Sequence, residues 1–339
     1  MKIGILAAGT WGTALAKVLA LNNDVTVWSK FPKEIEELST NRVHKNLPGA
    51  MLPESIKFTI DLKCAVAEAD IIIIATPSVY VRETMVNIRD IVTPRQIMVC
   101  VSKGIEAETL LTMSGIIEDV LEGSNPVVAL SGPTHAEEVA LDIPTLIVSA
   151  SQSADAAATV QRAFVGTCVR PYTNEDIIGV ELCGALKNII ALGCGIALGL
   201  GYGDNTRAAL ITRGMSEIRN LGCAMGCTPE TFAGLAGMGD LIVTATSRHS
   251  RNNRAGQLIG GGMSLEAAIK DVGMVVEGVN ALPAAVKLAA KYSTELPIIN
   301  AVNGVVTGEM TAAEAVTGLL NRNLRSEFTL HYERELFNQ

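Results

Sequence analysis

A lysine and an asparagine stand side by side in one of the most apolar stretches of the chain, residues 181–190. Burying an unpaired ammonium group is costly, so Lys187 needs either a partner or a chemical role. Desolvation disfavours the charged form and can lower the pKa of a lysine toward neutrality, where it exchanges protons with a substrate oxygen. We therefore predict that Lys187 is a general acid and base that Asn188 helps to hold. A structural ion pair with Glu181 or Asp240 is the alternative.

Three short polar segments are candidates for binding a substrate: residues 102–104, 131–134 and 250–254. The first two directly follow predicted strands, and open α/β sheets bind ligands at the carboxyl ends of their strands. The third segment contributes two guanidinium groups, Arg251 and Arg254, in a chain that is acidic overall. Since one guanidinium binds two phosphate oxygens at once, this segment predicts a phosphate site. A solvated basic loop is the alternative.

The first residues have the layout of a dinucleotide-binding turn. An apolar strand leads into the segment AAGTWG at 7–12, and a helix is predicted over residues 13–21. Backbone N–H groups at the start of that helix would face a pyrophosphate. Gly9 lets the phosphates approach the main chain, and Gly12 lets the helix pack on the strand. Ala7 replaces the expected first glycine, which the turn tolerates if the φ of Ala7 stays negative.

The second predicted strand ends at Trp28, and the residues that follow are Ser29 and Lys30. They supply no carboxylate for the ribose 2′-hydroxyl of NAD(H), whereas the Lys30 ammonium can receive the 2′-phosphate of NADP(H). A solvated loop lysine is the alternative. We expect NADP(H) to be at least tolerated as a cofactor.

Short β-branched runs alternate with helical patterns in the first half of the chain. Strands are predicted at residues 2–6, 25–28, 71–75, 97–101, 127–130 and 146–148. The run Ile71–Thr76 lacks polar alternation, which indicates a parallel sheet covered on both faces. After about Asn174, long helices rich in Ala, Gly and Leu follow. These patterns predict an α/β protein with an N-terminal Rossmann-type, doubly wound, mostly parallel sheet (residues 1–175), a turn at Pro171–Asn174, and a C-terminal all-helical substrate-binding domain (residues 176–339).

Composition narrows the possible functions further. Lys and Arg total 27 against 35 Asp and Glu, a net charge of −8, so the chain has no general attraction for nucleic acid or anionic membranes. The longest uncharged apolar run, Ile189–Tyr202, is shorter than the ~18 to 20 residues that span a bilayer, and no secretory signal is recognised, so we expect a cytoplasmic protein. The odd set of seven cysteines suits reduced thiols. Four scattered histidines give no metal-ligand spacing, and no metal is expected.

Taken together, these motifs resemble those of bacterial-type NAD(P)-dependent glycerol-3-phosphate dehydrogenases. The resemblance runs from about residue 3 to residue 325. Its motifs, in order, are AAGTWGTALA at 7–16, VSKGIE at 101–106, SGPTHAEEVA at 131–140, the run from GALKNIIALG at 184 to TRG at 214, GLAGMGDLIVTATS at 234–247, SRNNRAG at 250–256 and VVEG at 275–278. The resemblance implies a homodimer that uses NAD(P)H to reduce dihydroxyacetone phosphate reversibly to sn-glycerol 3-phosphate, a phospholipid precursor.

The resemblance also implies roles for individual residues. Lys187 matches the family's proton donor and acceptor. The implied substrate-binding residues are Lys103, Gly132, Thr134, Lys187, Asp240, Ser250, Arg251 and Asn252. Together with Gly9 and Gly12 of the turn, the implied cofactor-binding residues are Thr10, Trp11, Lys30, Lys103, Ala136, Arg251, Val275 and Glu277. Asn253 departs from the pattern, because the family often has a second arginine there.

Two other functions stay open. A 3-hydroxyacid dehydrogenase has a similar two-domain plan with a lysine on a helix, and assays with dihydroxyacetone phosphate against 3-oxo acids separate the two. A catalytically silent NADPH-binding regulator would bind the cofactor without oxidising it. The altered first glycine favours the regulator, and the presence of Lys187 and Lys103 argues against it.

Overall fold

The computed structural model describes residues 1–247, 249–324 and 327. Its first half contains an eight-stranded sheet in the order β3-β2-β1-β4-β5-β6-β7-β8. The strands are β1 (Lys2–Leu6), β2 (Asp24–Trp28), β3 (Lys57–Thr59), β4 (Ile71–Ile74), β5 (Ile97–Cys100), β6 (Val127–Ser131), β7 (Thr145–Ala150) and β8 (Val169–Asn174). All neighbours pair in parallel except β6 and β7, which are antiparallel. The predicted mostly parallel, doubly wound sheet is confirmed.

Helices cover both faces of this sheet. They are α1 (Thr10–Leu19), α2 (Pro32–Asn41), α3 (Leu62–Val66), α4 (Val81–Ile88), α5 (Met113–Val120), α6 (Ala136–Ala140) and α7 (Ala154–Ala163). The isoleucines of β4 pack against helices on both faces of the sheet. Ile71 and Ile73 belong to the core on one face, whereas Ile72 and Ile74 belong to the core on the other. Successive side chains of a strand point to opposite faces, so an uninterrupted apolar run fills both cores.

The strand order changes direction at β1, which lies between β2 and β4. The chain first builds outward from β1 through β2 to β3 and then crosses back to place β4 on the other side of β1. Such a switch point leaves a crevice at the carboxyl ends of the two central strands, where α/β sheets bind nucleotides. The turn at residues 7–9 and the start of α1 lie at this crevice.

The second half is helical throughout the described residues, as predicted. Its helices are α8 (Ile177–Gly199), α9 (Asp204–Ala224), α10 (Pro229–Ala233), α11 (Asp240–Thr246), α12 (Arg251–Gly260), α13 (Leu265–Val272), α14 (Glu277–Lys291), α15 (Pro297–Thr307) and α16 (Ala312–Leu320). The helix α8 is long and apolar enough to cross a membrane, but 94% of its most apolar window is buried inside the protein. It is the central core helix around which the others pack.

One sequence prediction about the strands was wrong, and one strand was missed. Pro171–Asn174 is not a turn but the last part of β8, which pairs in parallel with β7 and places Pro171 opposite Ile147. Proline is tolerated there because β8 is the outermost strand and one side of its backbone needs no ladder partner. The three-residue edge strand β3 was not predicted at all, because it is too short to show a pattern.

Candidate active site

The ammonium group of Lys187 lies in the core with two oxygen partners on one helix. Lys187 Nζ donates to Asp240 Oδ1 at 2.5 Å and to Thr244 Oγ1 at 2.5 Å. Asp240 and Thr244 stand one turn apart in α11 and therefore face α8 together. Burial lowers the pKa of Lys187 to about 7, although the Asp240 carboxylate opposes that shift. The group is thus divided between ammonium and amine near neutral pH.

Of the two ion-pair partners predicted for this lysine, Asp240 is correct and Glu181 is wrong. The Glu181 carboxylate instead accepts hydrogen bonds from the backbone N–H of Ser114 at 2.8 Å and from the Ser114 hydroxyl at 2.5 Å. Those bonds attach α8 to the start of α5. Catalytic and structural interpretations of Lys187 are therefore compatible, because the ion pair to Asp240 is what holds the amine in place.

A second lysine reaches the same carboxylate from the sheet. Lys103 follows β5, and its Nζ donates to Asp240 Oδ2 at 2.6 Å and to the carbonyl oxygen of Gly132 at 3.2 Å. The Asp240 side chain is 2% exposed and lies between the two ammonium groups. The Thr134 hydroxyl also donates to the Gly132 carbonyl, at 3.0 Å. The polar segments after β5 and β6 therefore meet at Lys103, which also reaches Asp240.

Asn188 does not contact Lys187 as predicted. Its amide donates to the Gly184 carbonyl at 3.2 Å, and its oxygen accepts from Asn252 Nδ2 at 3.0 Å. Asn252 Oδ1 in turn accepts from the backbone N–H of Gly278 at 2.8 Å. This chain of amides joins α8, α12 and α14 in the protein interior, so Asn188 fixes the start of α12 relative to the helix that carries Lys187.

The predicted phosphate-binding residues at the start of α12 differ in exposure and in hydrogen-bond partners. The Ser250 hydroxyl accepts from the backbone N–H of Asn253 and begins the helix, and Arg251 follows with an exposed side chain. Asn253 is buried and donates to the Ala245 carbonyl at 3.0 Å, so it does not replace a phosphate-facing arginine. Arg254 forms an exposed ion pair with Asp271 at 2.8 Å. Arg251 is therefore the guanidinium of this segment that is available to an anion.

The dinucleotide turn has the expected layout, with one correction. Gly9 precedes α1 and provides no side-chain cap, and a Cβ added at Gly9 would meet no atom within 4 Å. The backbone at Gly9 is therefore open to a pyrophosphate, and the first N–H groups of a helix have no partner within the helix. A Cβ at Gly12 would overlap the carbonyl oxygen of Ala7. The condition under which the turn was expected to tolerate Ala7, a negative φ, is not met, because that φ is +106°, in a region that L-residues rarely adopt.

The other predicted cofactor residues differ in burial and in contacts. Trp11 is partly buried against the sheet core, whereas Lys30 and Val275 are exposed. Ala136 is buried at the start of α6. The Glu277 carboxylate accepts from the Ser78 hydroxyl at 3.0 Å and so links the start of α14 to the loop after β4. Burial raises the pKa of Glu277, and Ser78 and Arg251 oppose that shift.

Several polar residues at this site were not predicted. Thr244 binds Lys187, Ser78 binds Glu277, and Asn46 Nδ2 donates to the Thr10 hydroxyl at 3.1 Å. Ser131 Oγ and His135 Nε2 are buried without a hydrogen-bond partner among the described residues. Ser131 and His135 both lie inside the segment 131–140 that the sequence motifs include. Over the described chain, no three His, Cys, Asp or Glu side chains are placed to hold a metal ion.

Comparison with known proteins connects this geometry to a family. The models of the NAD-dependent glycerol-3-phosphate dehydrogenase N-terminus and C-terminus match residues 2–157 and 176–317. A glycerol-3-phosphate dehydrogenase (NAD(P)+) of Lactobacillus delbrueckii subsp. bulgaricus is 55% identical over 97% of this chain and 99% of its own length. That of Bacillus subtilis is 49% identical over 96% of both chains. A solved structure of glycerol-3-phosphate dehydrogenase from Coxiella burnetii has a TM-score of 0.90 at 35% identity and covers 95% of this chain and 99% of its own. The chain therefore belongs to the NAD-dependent glycerol-3-phosphate dehydrogenase family.

Proposed function

We propose that this chain reduces dihydroxyacetone phosphate reversibly to sn-glycerol 3-phosphate with NAD(P)H. The observation that carries the proposal is the buried Lys187 ammonium, which shares the Asp240 carboxylate with Lys103 at 2.5 and 2.6 Å. A ketone that gains a hydride develops negative charge on its oxygen, and it needs a proton donor in a water-poor site. Bound NAD(P)H supplies that hydride. Membership of the family and the chemistry of these residues point to the same reaction.

The residues of the chain divide the work between positioning and proton transfer. We assign proton donation to Lys187, since a pKa of about 7 lets one group give a proton in reduction and take it back in oxidation. Lys103 lies across Asp240 from Lys187 and adds positive charge where the oxyanion forms. We also assign substrate binding to Gly132, Thr134 and Asp240.

We assign the substrate's phosphate to the start of α12. Arg251 has an exposed guanidinium, Ser250 begins the helix, and Asn252 is tied to Asn188, the neighbour of Lys187. A helix N-terminus favours an anion, and a guanidinium adds two donors. Holding the phosphate there orients the carbonyl toward Lys187, and such orientation supplies much of the rate enhancement in reactions of two bound partners.

We assign the cofactor to the crevice at β1 and β4. Gly9, Thr10, Trp11 and Gly12 would hold its pyrophosphate at the open start of α1. Lys30, Lys103, Ala136, Arg251, Val275 and Glu277 would line the remainder of the cofactor site. We further propose that residues 1–175 form the cofactor domain and 176–339 the substrate domain. The chain would act as a cytoplasmic homodimer that supplies glycerophospholipid synthesis, with no nucleic-acid or membrane partner.

Replacing Lys187 by alanine tests the proposal. Lys187→Ala should lower kcat for dihydroxyacetone phosphate by at least ~100-fold, the range for loss of a general acid, and leave the Kd for NADPH nearly unchanged. In the parent protein, kcat for reduction should fall as pH rises through about 7, because the ammonium form is the donor. NADPH absorbance in steady-state assays reports both effects.

The exposed Lys270 of α13 provides a matched control, and Lys270→Ala should retain full turnover. Turnover retained in Lys187→Ala would remove Lys187 from the mechanism. A parent protein that oxidises NADPH with 3-oxo acids, and not with dihydroxyacetone phosphate, would replace the proposed substrate.

A further inference from the structure

The structure places a carboxylate at the end of β2, where the sequence pattern had indicated none. Glu34 lies in the first turn of α2, and its Oε2 accepts from the hydroxyl of Ser29 at 2.5 Å. Ser29 directly follows β2 and is 2% exposed. The same hydroxyl oxygen accepts from the backbone N–H of Phe31 at 3.3 Å, which fixes its direction. A residue five positions later therefore brings a carboxylate back to the strand end.

Lys30, the cation predicted for this strand end, lies against two aromatic rings. Lys30 Nζ lies 5.4 Å from the centre of the Phe31 ring and 5.1 Å from that of the Tyr80 ring. An ammonium group over an aromatic ring is held by the ring's negative face. No ion pair of Lys30 with Glu34 is present among the described residues. The carboxylate and the ammonium thus stand at the same strand end as separate charges.

Glu34 also lies near residues that contact the proposed pyrophosphate site. Glu34 is close enough to the buried His44 to oppose the lowering of the His44 pKa that burial causes. The Nδ1 of His44 accepts from the backbone N–H of Asn46 at 3.1 Å, and the Asn46 amide donates to the Thr10 hydroxyl in the first turn of α1. Glu34 therefore lies near a hydrogen-bonded series, His44, Asn46 and Thr10, that leads to the start of α1.

From this arrangement we propose that Glu34, held by Ser29, determines the choice between NAD(H) and NADP(H); this inference rests on the proposed function. In dinucleotide folds, an acidic residue near the end of the second strand accepts the ribose 2′-hydroxyl. Glu34 brings its carboxylate to that place from the next helix. A 2′-phosphate there would meet a fixed negative charge, and like charges brought together oppose binding. The positive charge of Lys30 offsets part of that repulsion. NADPH therefore still binds, but Glu34 increases the affinity for NADH relative to that for NADPH.

The test measures Kd for both cofactors in Glu34→Gln. The two tryptophans of the chain, Trp11 and Trp28, lie in the turn and in β2, so energy transfer from tryptophan to the reduced nicotinamide reports binding without turnover. We expect the ratio of Kd(NADPH) to Kd(NADH) to fall roughly tenfold, which corresponds to about 1.4 kcal/mol. Ser29→Ala should move the ratio in the same direction by less, because the carboxylate stays but loses its fixed position.

Glu37→Gln is the matched control, since Glu37 is an exposed carboxylate on the same helix, and it should leave the ratio unchanged. Equal changes in both Kd values, or a change in Tm alone, would assign Glu34 a structural role and overturn the proposal. A ratio that rises in Glu34→Gln would also overturn it. Because binding is measured directly, failure to reduce dihydroxyacetone phosphate with either cofactor would refute the proposed function while the Kd ratio still decides the role of Glu34.

Discussion

Ala7 occupies a backbone conformation that suits glycine, with a φ of +106°. Its N–H donates to the Trp28 carbonyl at 2.9 Å, and its carbonyl packs against Gly12, so neighbouring contacts hold the turn in this shape. A non-glycine residue in such a region destabilises the folded protein by about 1–3 kcal/mol. Glycine would remove this strain, but its greater freedom in the unfolded chain would offset about 0.4–1 kcal/mol of the gain. Ala7→Gly should therefore raise the free energy of unfolding by about 1 kcal/mol.

Chemical denaturation measures this change. Ala8→Gly is the control, because Ala8 has no positive φ and its methyl group is buried, so that variant should be less stable than the parent protein. A loss of stability in Ala7→Gly as well would show that the alanine side chain contributes packing that outweighs the backbone strain.

At the scale of single residues, the sequence identified polar side chains that the structure brings together, but it was less accurate about their hydrogen-bond partners. Lys187 is recognisable because an ammonium among apolar residues needs a reason, and Asp240 was one of two partners proposed for it. Asn188 was assigned to the lysine beside it, yet successive residues of a helix point about 100° apart, and its amide reaches Asn252 instead. Glu34 was overlooked because its position next to Ser29 depends on the turn between β2 and α2.

The helices α8 and α12 pack with their backbones in contact. A Cβ at Gly195 would overlap the carbonyl oxygen of Asn253, and one at Gly256 would overlap that of Leu192. Glycines therefore permit an approach that a methyl group prevents. Gly195→Ala should push the start of α12 away from α8, reduce stability by about 1–3 kcal/mol and raise KM for dihydroxyacetone phosphate more than Kd for NADPH.

Gly318 of α16 is the comparison for this variant. It is exposed, and a Cβ there meets no atom within 4 Å, so Gly318→Ala should gain up to about 1 kcal/mol from helix propensity alone. Thermal unfolding and steady-state kinetics on both variants separate packing from propensity. An unchanged KM in Gly195→Ala would show that α12 does not set the phosphate site.

At the scale of elements, long patterns were predicted well and short or edge elements were not. The strands β1, β4 and β5 were found because buried parallel strands are continuous β-branched runs. The edge strand β8 was mistaken for a turn because Pro171 and Asn174 are turn residues by type, and only the outer position of the strand makes them acceptable. The antiparallel direction of β7 depends on pairing with β6, which no local pattern specifies.

A buried carboxylate makes the stability of the whole molecule depend on pH. Glu217 of α9 accepts from the backbone N–H groups of Ile298 at 2.7 Å and Ile299 at 3.2 Å, at the start of α15. Burial raises its pKa from 4.5 to about 7. Between these values the folded protein binds more protons than the unfolded chain, so the contribution of Glu217 is complete below pH 4.5 and is lost as pH rises to about 7.

Glu217→Gln removes this titration. The free energy of unfolding of the parent protein minus that of the variant should decrease by roughly 1 to 3 kcal/mol between pH 4.5 and 7, since each pKa unit corresponds to about 1.4 kcal/mol. Denaturant titrations at several pH values measure the difference, in which the other ionisable groups cancel. A difference that grows with pH would mean that the bonds to α15 hold the carboxylate in its charged form.

The hydrogen bond between Asn188 and Asn252, together with the close backbone contact of α8 with α12, fixes the separation of two groups. These groups are the amine of Lys187 and the start of α12, to which we assign the phosphate. Neither helix can shift along the other without breaking these contacts. Under the proposed chemistry, a ketose phosphate longer by one carbon would bind its phosphate at α12 and place its carbonyl beyond the Lys187 amine. Selection among such sugar phosphates would thus depend on the distance between phosphate and carbonyl rather than on the shape of a pocket.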